Sequence, residues 1–174
     1  MFRARMLNVK PNIFYGCYGS NLNKDQMSRR CPYAKPVGVA YLKDYALVFD
    51  RVASIVKING EQVPIGVWLI SEYDEMFLDR YEGYPHLYEK EYFKLDIGGK
   101  KISTMIYIKN DISSFEEASQ LYINTILQGY KDFNLDTSYL YNAIDRSLEL
   151  KGIFSPCLKE IKYSKNGKPS LITL

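Results

Sequence analysis

Apolar residues change their spacing several times along this chain, and each change predicts an element. Asn12-Ile13-Phe14-Tyr15-Gly16-Cys17-Tyr18 is rich in β-formers and predicts a first strand. Gly19-Ser20-Asn21 breaks it. Asn23 stands three residues before Gln26, a capping-box-like start for a short helix over Lys24 to Arg29, which Pro32 stops. From Val37 to Phe49, the alternation of Val39, Tyr41, Tyr45, Leu47 and Phe49 predicts a strand. Ala53 to Ile58 and Val63 to Ile70 predict two more, with Asn59-Gly60 as the hairpin turn between them.

The period then becomes helical. Ser71 with Asp74 predicts an N-cap, and Tyr73, Met76, Phe77, Arg80 and Tyr81 fall on one helical face. Gly83 suits the left-handed position after the last turn, with Pro85 beyond it. Tyr92 to Ile97 and Lys100 to Lys109 predict a hairpin about Gly98-Gly99. Ser114 and Glu117 predict the capped start of a helix ending at Gly129, with Ala118, Leu121, Tyr122 and Thr125 or Ile126 inward. A last helix opens at Asp136 or Thr137, turns Leu140, Ala143, Ile144 and Leu148 inward, and stops before Gly152. Hairpins dominate and strict strand–helix–strand alternation is missing. The order therefore predicts an α+β domain around a largely antiparallel sheet.

Length and composition narrow the picture. The 174 residues suit a single domain, 1-174, in which 154-174 forms a C-terminal extension carrying Lys159, Lys162, Lys165 and Lys168 about an Asn166-Gly167 turn. Hydrophobic residues are 47% of the chain, enough for one core, and no apolar run is long enough to span a membrane. The basic N-terminus has no apolar stretch behind it, so it does not read as a secretory signal. Cys17, Cys31 and Cys157 are odd in number and widely spaced, which points to a reducing, cytoplasmic setting rather than a disulfide framework. A net charge of +3 is too small to imply a nucleic-acid partner.

Several kinds of chemistry drop out. His86 is the one histidine and lies in a Tyr84-Pro85-His86-Leu87 turn, so triad and Cys-His arrangements would need it to serve alone. No metal-ligand spacing and no nucleotide-binding glycine motif occurs, so no metal and no cofactor is expected. Cys17 and Cys31 read as small buried hydrophobes. What remains is a carboxylate and backbone groups.

Two segments can supply them. Tyr18-Gly19-Ser20-Asn21-Leu22 is either a plain strand-to-helix turn or a nest of N–H groups suited to a carboxylate or a developing oxyanion. In Leu78-Asp79-Arg80-Tyr81-Glu82-Gly83-Tyr84, Glu82 falls at a helix C-terminus among Tyr81, Tyr84 and Tyr88. It is either an exposed terminal glutamate with no role or a carboxyl whose pKa is raised by the helix end and by desolvation. Asp79, one turn earlier, is its rival.

Together these segments resemble the γ-glutamylcyclotransferase-like superfamily, which includes the AIG2-like proteins. Tyr18 to Leu22 matches its opening YGSNL motif. Leu42, Tyr45, Leu47 and Phe49 are similar to its next strand, and Val63-Pro64-Ile65-Gly66-Val67-Trp68 to the strand after it. Leu78 to Gly83 followed by Tyr88 is similar to its acidic block, and Tyr122, Gly129 and Tyr139 to its C-terminal helical part. The likeness spans residues 12 to 145 and fades after about residue 150.

The resemblance implies a small mixed α/β barrel of mostly antiparallel strands with flanking helices. It implies a small-molecule γ-glutamyl substrate, bound by Tyr18, Gly19, Ser20, Asn21, Leu22, Tyr88 and Tyr139, with the backbone N–H groups of residues 19 to 22 holding the glutamyl group. It makes Glu82 the acid–base residue of a cyclisation that yields 5-oxoproline and a free amine or amino acid. Such a reaction needs no enzyme nucleophile and no metal. A non-catalytic metabolite-binding module on the same fold is the alternative. No nucleic-acid or membrane partner is expected, and a homodimer is the candidate assembly.

Overall fold

The structure is a computed structural model that describes residues 11–112 and 114–154. The basic extension and its Asn166-Gly167 turn lie outside the described residues, as does Cys157.

Among the described residues, five strands form one sheet in the order β2-β3-β1-β5-β4. β1 (Ile13–Cys17) is central. It runs antiparallel to β3 (Val52–Ile70) and parallel to β5 (Lys100–Lys109), and every other pairing is antiparallel. The edge strands are β2 (Lys35–Asp50) and β4 (Tyr88–Ile97). They curl toward each other, and Tyr45 meets Phe93 edge-to-face at 5.7 Å. The result is the mixed, mostly antiparallel α+β architecture that the sequence predicts. The core lies on and inside the curl, with Val63, Ile65, Met105, Ile106 and Ile126 fully buried.

The Asn59-Gly60 signal does not make a hairpin. β3 is one strand from Val52 to Ile70, and the chain reverses instead at Arg51, where Asp50 faces Val52. Residues 58 to 61 bulge opposite Asp44, whose carboxylate accepts the Gly60 N–H at 2.9 Å. Asp44 and Gly60 both adopt positive φ, 62° and 83°. A turn-type dipeptide thus serves a bulge, which needs the same left-handed conformation.

The described residues form four helices about this sheet. α1 (Lys24–Arg30) starts at Asn23, whose side chain accepts from the Gln26 N–H. α2 (Glu72–Glu82) carries the predicted Ser71–Asp74 capping box and ends at Gly83 in the left-handed conformation, φ 66°. Its buried residues are Asp74 and Leu78, whereas Tyr73, Met76, Phe77 and Tyr81 are exposed. The aromatic side of α2 meets the segment after α1, where Tyr73 lies edge-to-face on Tyr33, and Tyr73 also lies edge-to-face on Phe77 of its own helix.

α3 (Gln120–Asp132) begins at a Ser119 cap, later than predicted. Ser114 hydrogen-bonds Asp50 instead, and Glu117 pairs with Lys151 at 3.0 Å. α3 buries Ile126, Gly129 and Tyr130, while Leu121 is exposed. Gly129 therefore sits inside the helix, not after it. α4 (Ser138–Phe154) runs through Gly152 and buries Leu140, Ala143 and Ser147.

Candidate active site

β1 ends at Cys17, and the chain turns through Tyr18 and Gly19 into a single 3-10 turn, Ser20–Leu22. This turn is wedged between β3 and α3. Leu22 is fully buried, and a Cβ added to Gly66 or Gly129 would come within 2.5 Å of its side chain. Trp68 Nε1 donates to the Asn21 carbonyl at 3.1 Å, and Tyr18 Oη donates to the Tyr107 carbonyl at 2.9 Å. The turn is thus held by β3, β5 and α3 together, which leaves it little freedom.

Its amide groups divide in two. Leu22 N–H bonds to Gly19 O and Asn23 N–H to Ser20 O, as a 3-10 turn requires. No acceptor among the described residues takes the N–H of Gly19, Ser20 or Asn21. All three residues line a cavity of about 330 Å³.

Glu82 lines the same cavity. As the last residue of α2 it is delivered there by the Gly83 cap, which redirects the chain. Asn21 Nδ2 donates to its Oε1 at 2.9 Å and to Tyr15 Oη at 2.8 Å. Tyr18, Tyr81, Tyr88, Tyr107 and Tyr122 complete an aromatic wall with hydroxyls. Burial pushes the Glu82 carboxyl up to about 7, against the opposing effects of Arg30 and the Asn21 hydrogen bond. Desolvation, one of the two causes expected from sequence, is the leading cause.

The site residues predicted from sequence do not all meet here. Tyr18, Gly19, Ser20, Asn21, Glu82 and Tyr88 line the cavity. Leu22 lies beneath it as a packing residue. Tyr139 is elsewhere: on α4 it hydrogen-bonds Gln62 at 2.5 Å and stacks on Tyr41 at 6.1 Å. Asp79 is occupied by Lys90, at 2.7 Å, and by the Tyr107 hydroxyl, at 2.6 Å. His86 is exposed in its turn. Cys17 and Cys31 are buried thiols whose burial pushes them up, Cys31 to about 12, so neither is a ready nucleophile.

Tyr15, Tyr107, Tyr122 and Lys109 also line the cavity, though sequence spacing did not single them out for it. Lys109 Nζ pairs at 2.6 Å with Asp50, which is buried at the β2–β3 reversal. Arg30, outside the cavity, lays its guanidinium 3.6 Å from the Tyr81 ring centre and donates to Asn21 Oδ1.

Known proteins bear on this geometry. The structure is similar to a γ-glutamyl cyclotransferase at 24% identity, covering 75% of this chain and 85% of that one with a TM-score of 0.64. It is similar to an uncharacterized human protein at 25% identity, covering 77% and 87% of the two chains with a TM-score of 0.65. YkqA from Bacillus subtilis matches at 22% identity, covering 84% of this chain and 55% of that one with a TM-score of 0.56. No curated protein sequence matches the chain. The family model for γ-glutamyl cyclotransferase, AIG2-like, matches residues 15–130, which contain the turn, Glu82 and the cavity walls. The chain belongs to the γ-glutamyl cyclotransferase, AIG2-like family.

Proposed function

We propose that the chain is a cyclotransferase that closes a γ-glutamyl group to 5-oxoproline and releases the attached amine or amino acid. One observation carries this reading: a carboxyl that burial pushes up to about 7 shares a cavity with three unengaged amide N–H groups. The amides of Gly19, Ser20 and Asn21 suit the carboxylate of the glutamyl group or the oxyanion that forms on its γ-carbonyl. Glu82, ionised, takes a proton from the α-amine. The amine lone pair attacks the γ-carbonyl carbon, and the C=O π pair moves onto oxygen. Collapse of that oxyanion breaks the C–N bond, and Glu82 returns its proton to the departing amine. No water is consumed and no cofactor enters.

Ring closure joins two ends of one molecule, so holding them in reacting geometry supplies much of the acceleration. A carboxyl near neutrality suits both halves of the proton cycle. The buried thiols fit the reducing, cytoplasmic setting that we propose with it.

The test is a screen of γ-glutamyl dipeptides, γ-glutamyl amines and glutathione, reading 5-oxoproline release. Release that depends on Glu82 supports the reading. Tight binding of a γ-glutamyl compound with no release across the panel moves the protein to the metabolite-binding alternative.

A further inference from the structure

Asn21 stands between a cation and the candidate base. Its Oδ1 accepts from Arg30 Nη1, and its Nδ2 donates to Glu82 and to Tyr15. A guanidinium has donors only, so Asn21 must turn its oxygen toward Arg30. Its nitrogen is then forced toward Glu82, where it donates to an accepting oxygen and so favours the carboxylate, the stronger acceptor. Without Arg30 the amide is free to flip and accept a hydrogen bond from a protonated Glu82. Arg30 is itself aimed by its stacking on Tyr81, the residue before Glu82, and by a longer contact of 3.4 Å to Ser20 Oγ.

We propose that Arg30 is a positioning residue of this site, which locks the Asn21 amide in the orientation that favours ionised Glu82 and adds its own positive charge nearby. This rests on Glu82 being the base. The groups that face Glu82 from the other elements are Tyr15 and Cys17 of β1, Tyr18 of the turn, Tyr88 of β4, Tyr107 of β5 and Tyr122 of α3. All are neutral at pH 7, and burial pushes each one up. Lys109 is balanced by Asp50, and Asp79 by Lys90. Arg30 is therefore the cation that offsets the desolvation of Glu82.

The experiment follows the carboxyl carbon of Glu82 by NMR in ligand-free protein, assigned by its absence in Glu82→Gln. Arg30→Met removes both the charge and the lock, so the Glu82 midpoint should rise by about one unit or more. Arg30→Lys keeps the charge without the planar fork and should fall between the two. The Asn21 side-chain nitrogen signal of the unsubstituted protein should move with the Glu82 midpoint, a reading that needs no variant to fold. In turnover, the acidic limb of the kcat profile should shift to higher pH by the same amount in Arg30→Met, with KM little changed. A folded Arg30→Met with an unmoved midpoint, or an Asn21 signal indifferent to the titration, overturns the proposal. Both titrations are read without substrate, so they test Arg30 whether or not 5-oxoproline is formed.

Discussion

Gly129 lies directly on Leu22. A Cβ built on the glycine would stand 2.4 Å from Leu22 Cβ and 2.6 Å from its carbonyl carbon, distances that no side chain tolerates. The glycine lets α3 sit against the backbone of the turn that carries the unengaged amides. Gly129→Ala must push α3 and the turn apart. The expected loss is about 1–3 kcal/mol of stability, as for other overpacked cores, together with lost turnover. Gly152 is the control, since a Cβ there meets nothing within 4 Å on an exposed part of α4. Gly152→Ala should stabilise by about 0.5–1 kcal/mol with turnover unchanged. Urea unfolding of both variants beside an activity assay checks the pair, and equal effects would remove the argument.

Glu82→Gln keeps shape and removes proton transfer. It should fold, bind a γ-glutamyl compound and lose at least about 10²-fold in turnover. Asp79 does not itself line the cavity and is engaged by Lys90 and Tyr107, so Asp79→Asn should affect stability more than chemistry. Turnover of each variant beside circular dichroism decides between the two carboxylates. A dead, folded Asp79→Asn with a live Glu82→Gln would move the base one turn back.

A raised glutamate also weakens the fold at the pH where it works. The folded carboxyl binds its proton up to about 7, while an unfolded glutamate releases it at about 4.3. Between those values the folded state holds more protons, so stability falls as pH rises through this window and levels off above it. Glu82→Gln removes that loss. It should be more stable than the parent at pH 8 by about 1–3 kcal/mol, with the gap closing toward pH 4.5. Thermal unfolding across this range is the measurement, and a gap that does not vary with pH would contradict a raised Glu82.

Backbone and side chain can be separated within the turn. A Cβ on Gly19 would approach Ala53 Cβ at 3.2 Å and the Tyr122 hydroxyl at 3.3 Å, so Gly19→Val displaces the wall of the cavity. Ser20→Ala gives up long contacts, 3.3 Å to the Tyr81 hydroxyl and 3.4 Å to Arg30, and its contact with the Tyr122 hydroxyl, but leaves the backbone in place. Affinity for a γ-glutamyl ligand, measured by calorimetry, should fall much further in Gly19→Val. Normal binding by that variant would place the ligand away from the turn.

Local signals were the legible ones. The Ser71–Asp74 box, the Gly83 stop and the Asn23 cap are decided by neighbours within four residues, and all three form. Ser114 carries the same kind of signal but lies within reach of buried Asp50, which has a charge to satisfy. That demand outweighs a helix cap. Asn59-Gly60 announces left-handed backbone, which a bulge needs as much as a hairpin does. Glu82 was legible because the helix stop and its tyrosines are adjacent in sequence. Its partner Asn21 is 61 positions away, and the role of Arg30 depends on which way one amide points. Gly129 reads as a helix end in sequence because the chain it touches, at Leu22, belongs to another element.

The turn after β1 is finished late in the life of the chain. Its tyrosine bonds to a carbonyl 89 positions further on, and β1 has β5 as one of its two neighbours. A nascent chain that has emerged only through Glu82 already carries both motifs, yet it lacks a wall of the cavity and the strand that fixes Tyr18. Closing so long a loop is slow relative to forming the β2–β3 ribbon. Substrate recognition should therefore appear in one step, with the docking of β5 and α3, and protein fragments ending before Lys100 should compete for no ligand during synthesis.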